Sequence, residues 1–166
     1  ERFIASTKAY NTLVNVDQRK VYDESRGSYD PILSDFSVSL TWFNYDKLVA
    51  DSSAVWVIQV YDDLDASSKY FAQQWDGVAG SDLAELGGIK FGRVNARRDR
   101  DLLNRLPMRT RTFPTVMLFT RDTMPSIFSL ADTSTKALRK WVIAETPFAQ
   151  GGGSGNAYKL VIESPD

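Results

Sequence analysis

Cysteine and histidine are both absent from this chain of 166 residues. Without cysteine there is no disulfide, no thiolate nucleophile and no sulfur ligand for a metal ion. Without histidine the chain lacks the side chain most often used as a general base and as a zinc ligand at neutral pH. We therefore predict no catalytic residue, no cofactor and no bound metal.

An excess of one charge and a long apolar run are also missing. Twenty Lys and Arg residues against 21 Asp and Glu residues give a net charge of −1, so bulk charge does not favour nucleic acid as a partner. No run approaches the roughly 20 apolar residues of a membrane-spanning helix, and no span is expected in this segment. An apolar content of 43% is enough for one globular core.

The hydrophobic pattern switches between the periods of strands and helices. Leu138, Trp141 and Val142, for example, mark the inward face of a last helix. We predict strands at 36–41, 54–61, 89–94, 115–120 and 126–130, and helices at 44–50, 67–86, 99–106 and 133–145.

Composition divides the chain into five segments. A helical N-terminal segment ends at the first glycine, a turn-rich connection follows, and a Gly/Ser-rich linker later separates the main domain from a strand-like tail. The segments are residues 1–27, 28–35, 36–147, 148–155 and 156–166. The linker and tail are either natural or an engineered linker with a tethered peptide.

Several stretches resemble the protein disulfide isomerase family. Residues 54–61 and 62–75 resemble its strand, active-site loop and helix, and 111–119 resembles its cis-proline loop and next strand. Residues 92–96 resemble a further strand. The resemblance covers about residues 36–146. It implies an α/β, thioredoxin-like fold with a central mixed β-sheet flanked by helices, here with an N-terminal helical extension.

The loop and helix start at residues 62–68, which we call the reactive corner, depart from that family. Asp65 and Ser68 occupy the former redox motif positions, where redox-active members carry C-x-x-C, and Gln59 stands where the family has a buried acid. Asp63 and Leu64 replace the proline and tryptophan that usually precede the motif. A carboxylate or hydroxyl cannot replace a thiolate in disulfide exchange. We expect a redox-inactive domain, with Ser68 either natural or an engineered cysteine replacement.

The start of the chain resembles the last two helices of a J-domain. An alanine-tyrosine pair, Ala9-Tyr10, is followed by Asp17, a basic pair and Tyr22-Asp23. In that family a His-Pro-Asp loop upstream of these helices stimulates Hsp70. With both resemblances, the chain is similar to co-chaperones in which a J-domain is fused to a thioredoxin-like domain. They imply residence in the endoplasmic reticulum lumen and contact with Hsp70 through the full-length protein, although another organelle stays open.

Two clusters near the corner have both structural and functional interpretations. The carboxylates of Asp62, Asp63 and Asp65 precede a helix, where Asp65 would cap the N-terminus; a calcium site is disfavoured because the spacing lacks the glycine and distal glutamate of an EF-hand. Leu64, Phe113 and Pro114 form a candidate peptide-binding surface, because the loop before the cis-proline offers backbone groups to extended substrates in redox-active relatives.

Arginines are concentrated in one stretch that begins at Arg93. Guanidinium groups suit carboxylate or phosphate partners, whereas nearby Asp99, Asp101 and Asp122 would neutralise part of the charge on a solvated face. The candidate anionic-partner patch consists of Arg97, Arg98, Arg100, Arg109 and Arg111.

Three functions remain open on the sequence. The first is a redox-inactive, protein-binding domain of a J-domain co-chaperone that assists folding, with unfolded clients as partners. The second is a non-catalytic structural or assembly subunit that binds neighbouring subunits in a larger complex. The third is a thiol-disulfide oxidoreductase whose cysteines were mutated. The first two are not enzymes.

Overall fold

The computed structural model describes Tyr10, Arg19 and residues 34–86, 88–107, 112–121 and 124–146. Tyr10 and Arg19 both have helical backbone, as predicted for the N-terminal segment. The rest of that segment, the linker and the tail lie outside the described residues, and so do the domain boundaries placed within them.

The described residues form a sheet of five strands in the order β1-β3-β2-β4-β5. Strands β1, β3 and β2 run parallel, β4 is antiparallel to β2, and β5 is antiparallel to β4. Their bounds are Val38–Ser39, Trp56–Tyr61, Lys90–Asn95, Thr115–Phe119 and Ser126–Ile127 for β1 to β5. This structure confirms the predicted mixed sheet and the predicted succession of strands along the chain, although β1 and β5 are shorter than predicted.

Within residues 34–146, as far as the structure describes them, four α-helices flank the sheet, together with a π-helical turn at Asp46–Ala50. They are α1 Ala66–Ala79, α2 Leu83–Leu86, α3 Arg100–Arg105 and α4 Thr135–Glu145. Among the described residues no helix has both the length and the apolar character needed to cross a bilayer.

The predicted helix at 67–86 is divided in two. The first part ends at Gly80, whose N–H still bonds to the carbonyl of Asp76 at 2.9 Å. Ser81 then donates its hydroxyl to the carbonyl of Val78 at 2.6 Å and accepts from the N–H of Leu83 at 3.4 Å. The serine side chain therefore replaces helical hydrogen bonds between the two helices, as serine does in turns.

Apolar side chains pack in two clusters, one on each face of the sheet. Along β2 the side chains alternate, so Val57 faces the cluster under α1 and α4 while Ile58 faces the other. Under α1, the ring of Trp75 meets Phe91 edge-on, with centroids 5.8 Å apart. Burying such aromatic rings contributes about 2–3 kcal/mol each, which fixes α1 on the sheet.

Helix α4 presents the inward face that the sequence predicted. Leu138 and Val142 are completely buried in the cluster on its side of the sheet. Trp141 is half-buried, with its ring 5.3 Å from that of Phe128. The helix begins two residues later than predicted because Ser134 caps it, accepting from the N–H of Ala137 at 3.2 Å.

Candidate functional site

One edge of the sheet collects the residues of the reactive corner. Because β2 and β3 are parallel, the loops that follow them leave from the same edge, and the antiparallel β4 begins there. The register pairs Val60 with Thr115, which puts the cis-proline loop beside the end of β2. Ligand sites of open α/β sheets commonly form at this carboxyl edge.

Asp65 and Ser68 both hold the start of α1. Asp65 is the N-cap, and its Oδ2 accepts from the N–H of Ser68 at 2.7 Å, which confirms the predicted cap. Ser68 is completely buried, and its hydroxyl oxygen accepts from the N–H of Asp62 at 3.3 Å. Both former redox motif positions therefore satisfy backbone groups of the loop and the helix.

Asp63 joins the loop after β2 to the loop after β3. Its side chain is 7% exposed, and both Nε and Nη2 of Arg98 lie 2.9 Å from its Oδ2. Nε of Arg97 lies 3.3 Å from Oδ1 and 4.0 Å from an oxygen of Asp62. The contact with Oδ1 is an ion pair without hydrogen-bond alignment, so Arg98 is the principal partner.

The described members of the predicted arginine patch have different surroundings. Arg97 and Arg98 face carboxylates of the β2–α1 loop, whereas the exposed Arg100 has no carboxylate partner among the described residues. Arg109 and Arg111 lie outside the described residues. Asp99, predicted to neutralise this charge, instead caps α3 through the N–H of Leu102 at 2.9 Å.

Arg93 lies in the core, not with the surface arginines. It is 1% exposed because β3 runs between two other strands beneath α1, and its Nη1 donates to the carbonyls of Ser34 and Ser37. Gln59, its register partner on β2, is completely buried, and neither amide atom has a hydrogen-bond partner among the described residues. Arg93 and Gln59 are therefore two buried polar side chains below the corner, where the resemblance implied a buried acid.

The peptide bond between Phe113 and Pro114 is cis, as the resemblance implied. Pro114 is buried, and Phe113 is half-buried against the cluster on the second face of the sheet. Leu64 is 62% exposed, and its N–H donates to Asp62 at 2.9 Å. Of the three candidate peptide-binding residues, Leu64 offers the most free surface, and their binding role stays a prediction.

Trp42 is an exposed residue at this edge that the sequence reasoning missed. Its backbone N–H donates to the carboxylate of Asp99 at 2.6 Å, and the guanidinium of Arg105 lies 4.5 Å from the centre of its indole ring. Arg105 also bonds to both carboxylate oxygens of Asp46, at 2.7 and 2.9 Å. The only sequence signal was the pair of aromatic residues Trp42 and Phe43 directly after a predicted strand.

The corner can bind through hydrogen bonds, charge and apolar contact. No group of three or more metal-ligating side chains occurs in the part of the chain that the structure describes. The aspartates that formed a cluster in the sequence are divided between a cap and ion pairs. The exposed Leu64 therefore lies between two fixed residues, Asp63 in its ion pair and Asp65 in its helix cap.

The comparisons with known proteins agree with this architecture. No family profile matches the sequence. Protein disulfide-isomerase like 2-2 of Arabidopsis thaliana is 24% identical over 130 residues, which are 78% of this chain and 27% of that protein. The chain therefore spans about a quarter of the length of this curated relative.

Among solved structures, the J-Trx1 fragment of ERdj5 superposes with a TM-score of 0.60 at 19% identity. The match covers 88% of this chain and 76% of that fragment. Human ERp44 superposes with a TM-score of 0.59 at 21% identity, over 69% of this chain and 31% of its own. The chain has a thioredoxin-like fold, similar to domains of disulfide isomerase-like proteins, and carries no thiol at the corner.

Proposed function

We propose that this chain is the redox-inactive, protein-binding domain of a J-domain co-chaperone that assists protein folding in the endoplasmic reticulum lumen. The contacts at the corner are the main support for this proposal. Asp65 caps α1, Ser68 is buried in a hydrogen bond, and Asp63 is bound by Arg98. These contacts stabilise the loop in place of a thiol pair, and leave it a binding surface without a nucleophile.

The J-domain part of the proposal has two supports. One is the residue pattern Ala9-Tyr10 to Tyr22-Asp23 at the start of the chain. The other is that the J-Trx1 fragment of ERdj5 is matched over 88% of the chain, whereas longer ERdj5 chains are matched over 66% to 69% and human ERp44 over 65% to 69%. The endoplasmic reticulum is proposed from the same resemblance to fusion co-chaperones.

Client binding is tested with the full chain and a fluorescently labelled, permanently unfolded polypeptide. Leu64→Asp is the first variant, because Leu64 is 62% exposed and its replacement leaves the core intact. Met124→Asp is the matched control, because Met124 is 72% exposed and follows β4, which begins at the corner and ends at the opposite edge of the sheet. Losing one buried leucine contact corresponds to about 1.5 kcal/mol, or roughly tenfold in affinity.

We expect Leu64→Asp to weaken binding by about this factor and Met124→Asp to leave it nearly unchanged. Equal effects of the two variants would remove the corner from the binding surface. Absence of measurable binding by the unmodified chain would contradict the client-binding proposal itself.

A structural or assembly subunit is the second candidate. It is favoured by the aromatic side chains that the domain exposes, including Phe43 at 66% and Tyr70 at 71% exposure, since aromatic residues are enriched at interfaces. Crosslinking of the full-length protein in its native source, followed by mass spectrometry, separates the two functions. Hsp70 with many substoichiometric unfolded proteins supports the co-chaperone; a fixed set of partners in constant stoichiometry supports the subunit.

The third function open on the sequence, an oxidoreductase with replaced cysteines, has a direct genetic test. Ser68 is completely buried. The encoding gene determines whether the natural protein has cysteine at 65 or 68. A gene with both cysteines would overturn the redox-inactive proposal.

A further inference from the structure

An open groove runs along the solvent side of α4. Its apolar floor is formed by Ala137, Trp141 and Ala144, which share one face of the helix because they are spaced four and three residues apart. Trp141 is fixed in this floor by its packing against Phe128, with ring centroids 5.3 Å apart. The groove thus offers a rigid aromatic surface, so the protein loses little conformational entropy when a ligand binds there.

Positive charge borders this apolar floor. Lys136 and Lys140 also line the groove, and their spacing of four residues places their Cβ atoms about 6 Å apart. Both are exposed, and neither forms an ion pair with a carboxylate among the described residues. Arg139, on the same helix, is instead paired with Asp82.

One acidic residue, Asp132, lies at the N-terminal end of the groove. Its carboxylate accepts from the N–H of Ser134 at 2.9 Å, so it is used by the turn that precedes α4. With two lysines and one aspartate, the lining has a net charge of +1, although the whole chain has a net charge of −1.

We propose that this groove binds a short, extended acidic segment of a partner protein, with an apolar side chain on Trp141 and carboxylates on Lys136 and Lys140. Residues i and i+2 of an extended chain are about 6.6 Å apart on one face, which matches the separation of the two lysines. No residue of the reactive corner takes part. The proposal therefore goes beyond the proposed co-chaperone function and does not depend on it.

The test uses the full chain, labelled with ¹⁵N, and a soluble synthetic peptide with alternating Glu and Leu residues. A second peptide with Gln in place of each Glu is the ligand control. We expect the acidic peptide to shift the indole signal of Trp141 and the amides of α4. Two exposed ion pairs correspond to roughly a fivefold change in affinity, so the Gln peptide should bind about fivefold more weakly.

The protein control is a matched pair of charge reversals. Lys136→Glu with Lys140→Glu should weaken binding of the acidic peptide by more than about fivefold, because attraction becomes repulsion. Lys47→Glu with Lys69→Glu changes the net charge equally at exposed lysines outside the groove, and should change affinity less than about twofold.

Shifts confined to the corner around Leu64 would overturn this proposal while supporting the proposed client binding. Equal effects of the two double variants, equal binding of the two peptides, or no binding at millimolar peptide would also overturn it. The comparison of peptides on the unmodified chain needs no variant to fold, so the result is decisive in either case.

Discussion

Nε of Arg98 donates to a carboxylate oxygen of Asp63 at 2.9 Å, and Nη2 lies 2.9 Å from the same oxygen, although the two residues are 35 positions apart. The side chains of Asp63 and Arg98 are 7% and 17% exposed, so the pair is largely shielded from water. It connects the loop after β2 with the loop after β3 at the carboxyl edge of the sheet. A charge pair thus holds the corner that a disulfide isomerase-like domain would use for chemistry.

Removing the carboxylate of this pair should destabilise the domain. We expect Asp63→Asn to lower the free energy of unfolding by about 2 kcal/mol, because Arg98 is left as a poorly hydrated charge. The expected value is below that of a fully buried pair, since Arg98 still reaches water. Urea denaturation of the two proteins at neutral pH measures the difference.

The control for this variant is the exposed pair between Asp46 and Arg105. Its side chains are 53% and 37% exposed, so Asp46→Asn should cost less than about 1 kcal/mol. If the two aspartate variants lost equal stability, the shielding of the Asp63 pair would have no energetic consequence.

The cap at the start of α1 gives a second prediction. Asp65→Ala removes the acceptor for the N–H of Ser68, and we expect a loss of about 1 kcal/mol in unfolding free energy. Asp65→Asn retains a capping oxygen and should lose only a few tenths of a kcal/mol. Thermal and urea unfolding would contradict the capping role if alanine and asparagine were equally tolerated.

A third prediction concerns the close approach of two side chains to Gly92. A Cβ atom at this position would lie 2.5 Å from Cδ1 of Leu40 and 3.3 Å from the ring of Trp56. Gly92→Ala should therefore destabilise the domain by about 1–3 kcal/mol through overpacking. Unfolding experiments should show a smaller cost for the same change in a Leu40→Ala background, because the clashing methyl group is gone; additive costs would exclude this explanation.

The surface pair between Asp82 and Arg139 predicts a pH dependence. The hydrogen bond from Arg139, at 2.7 Å, lowers the pKa of Asp82 below its ordinary value of 3.8. A lowered folded-state pKa means that the stabilisation is present above the unfolded-state pKa and is lost as the pH falls through the folded-state pKa. The stability difference between the wild-type chain and Asp82→Asn should thus be constant near neutrality and shrink below about pH 4.

The measurement is a pair of urea titrations at several pH values from neutral to acidic, with NMR titration of the Asp82 carboxyl group as a direct reading of its pKa. Arg139→Gln should return that pKa towards its ordinary value, since the principal cause of the shift is removed. A carboxyl pKa that did not respond to Arg139→Gln would assign the shift to another cause.

Local features of the fold were predictable from the sequence. The order of strands and helices follows from hydrophobic periodicity, and the capping role of Asp65 follows from its place before a helix. The break after α1 was missed, because the hydrophobic pattern continues through Gly80 and Ser81 into α2. There the turn chemistry of two residues decided against the longer helix.

Contacts between distant residues were not predictable in the same way. The arginine stretch suggested a surface patch, yet Arg93 is buried beneath α1 and Arg98 pairs with Asp63 from another loop. Arg105 likewise pairs with Asp46 and stacks on Trp42 from a different part of the chain. Nothing in the local spacing of these residues encodes such partners.

The sequence by itself determined the element order, the helix cap and the absence of a thiol group from this chain, because each depends on residue identity and near neighbours alone. The tertiary structure decided which arginines are buried, which are paired and which lysines line a groove beside Trp141. The burial and pairing of the arginines depend on the sheet, since pairing β2, β3 and β4 brings together loops that are far apart in the chain. The groove depends on the packing of α4, where Trp141 contacts Phe128.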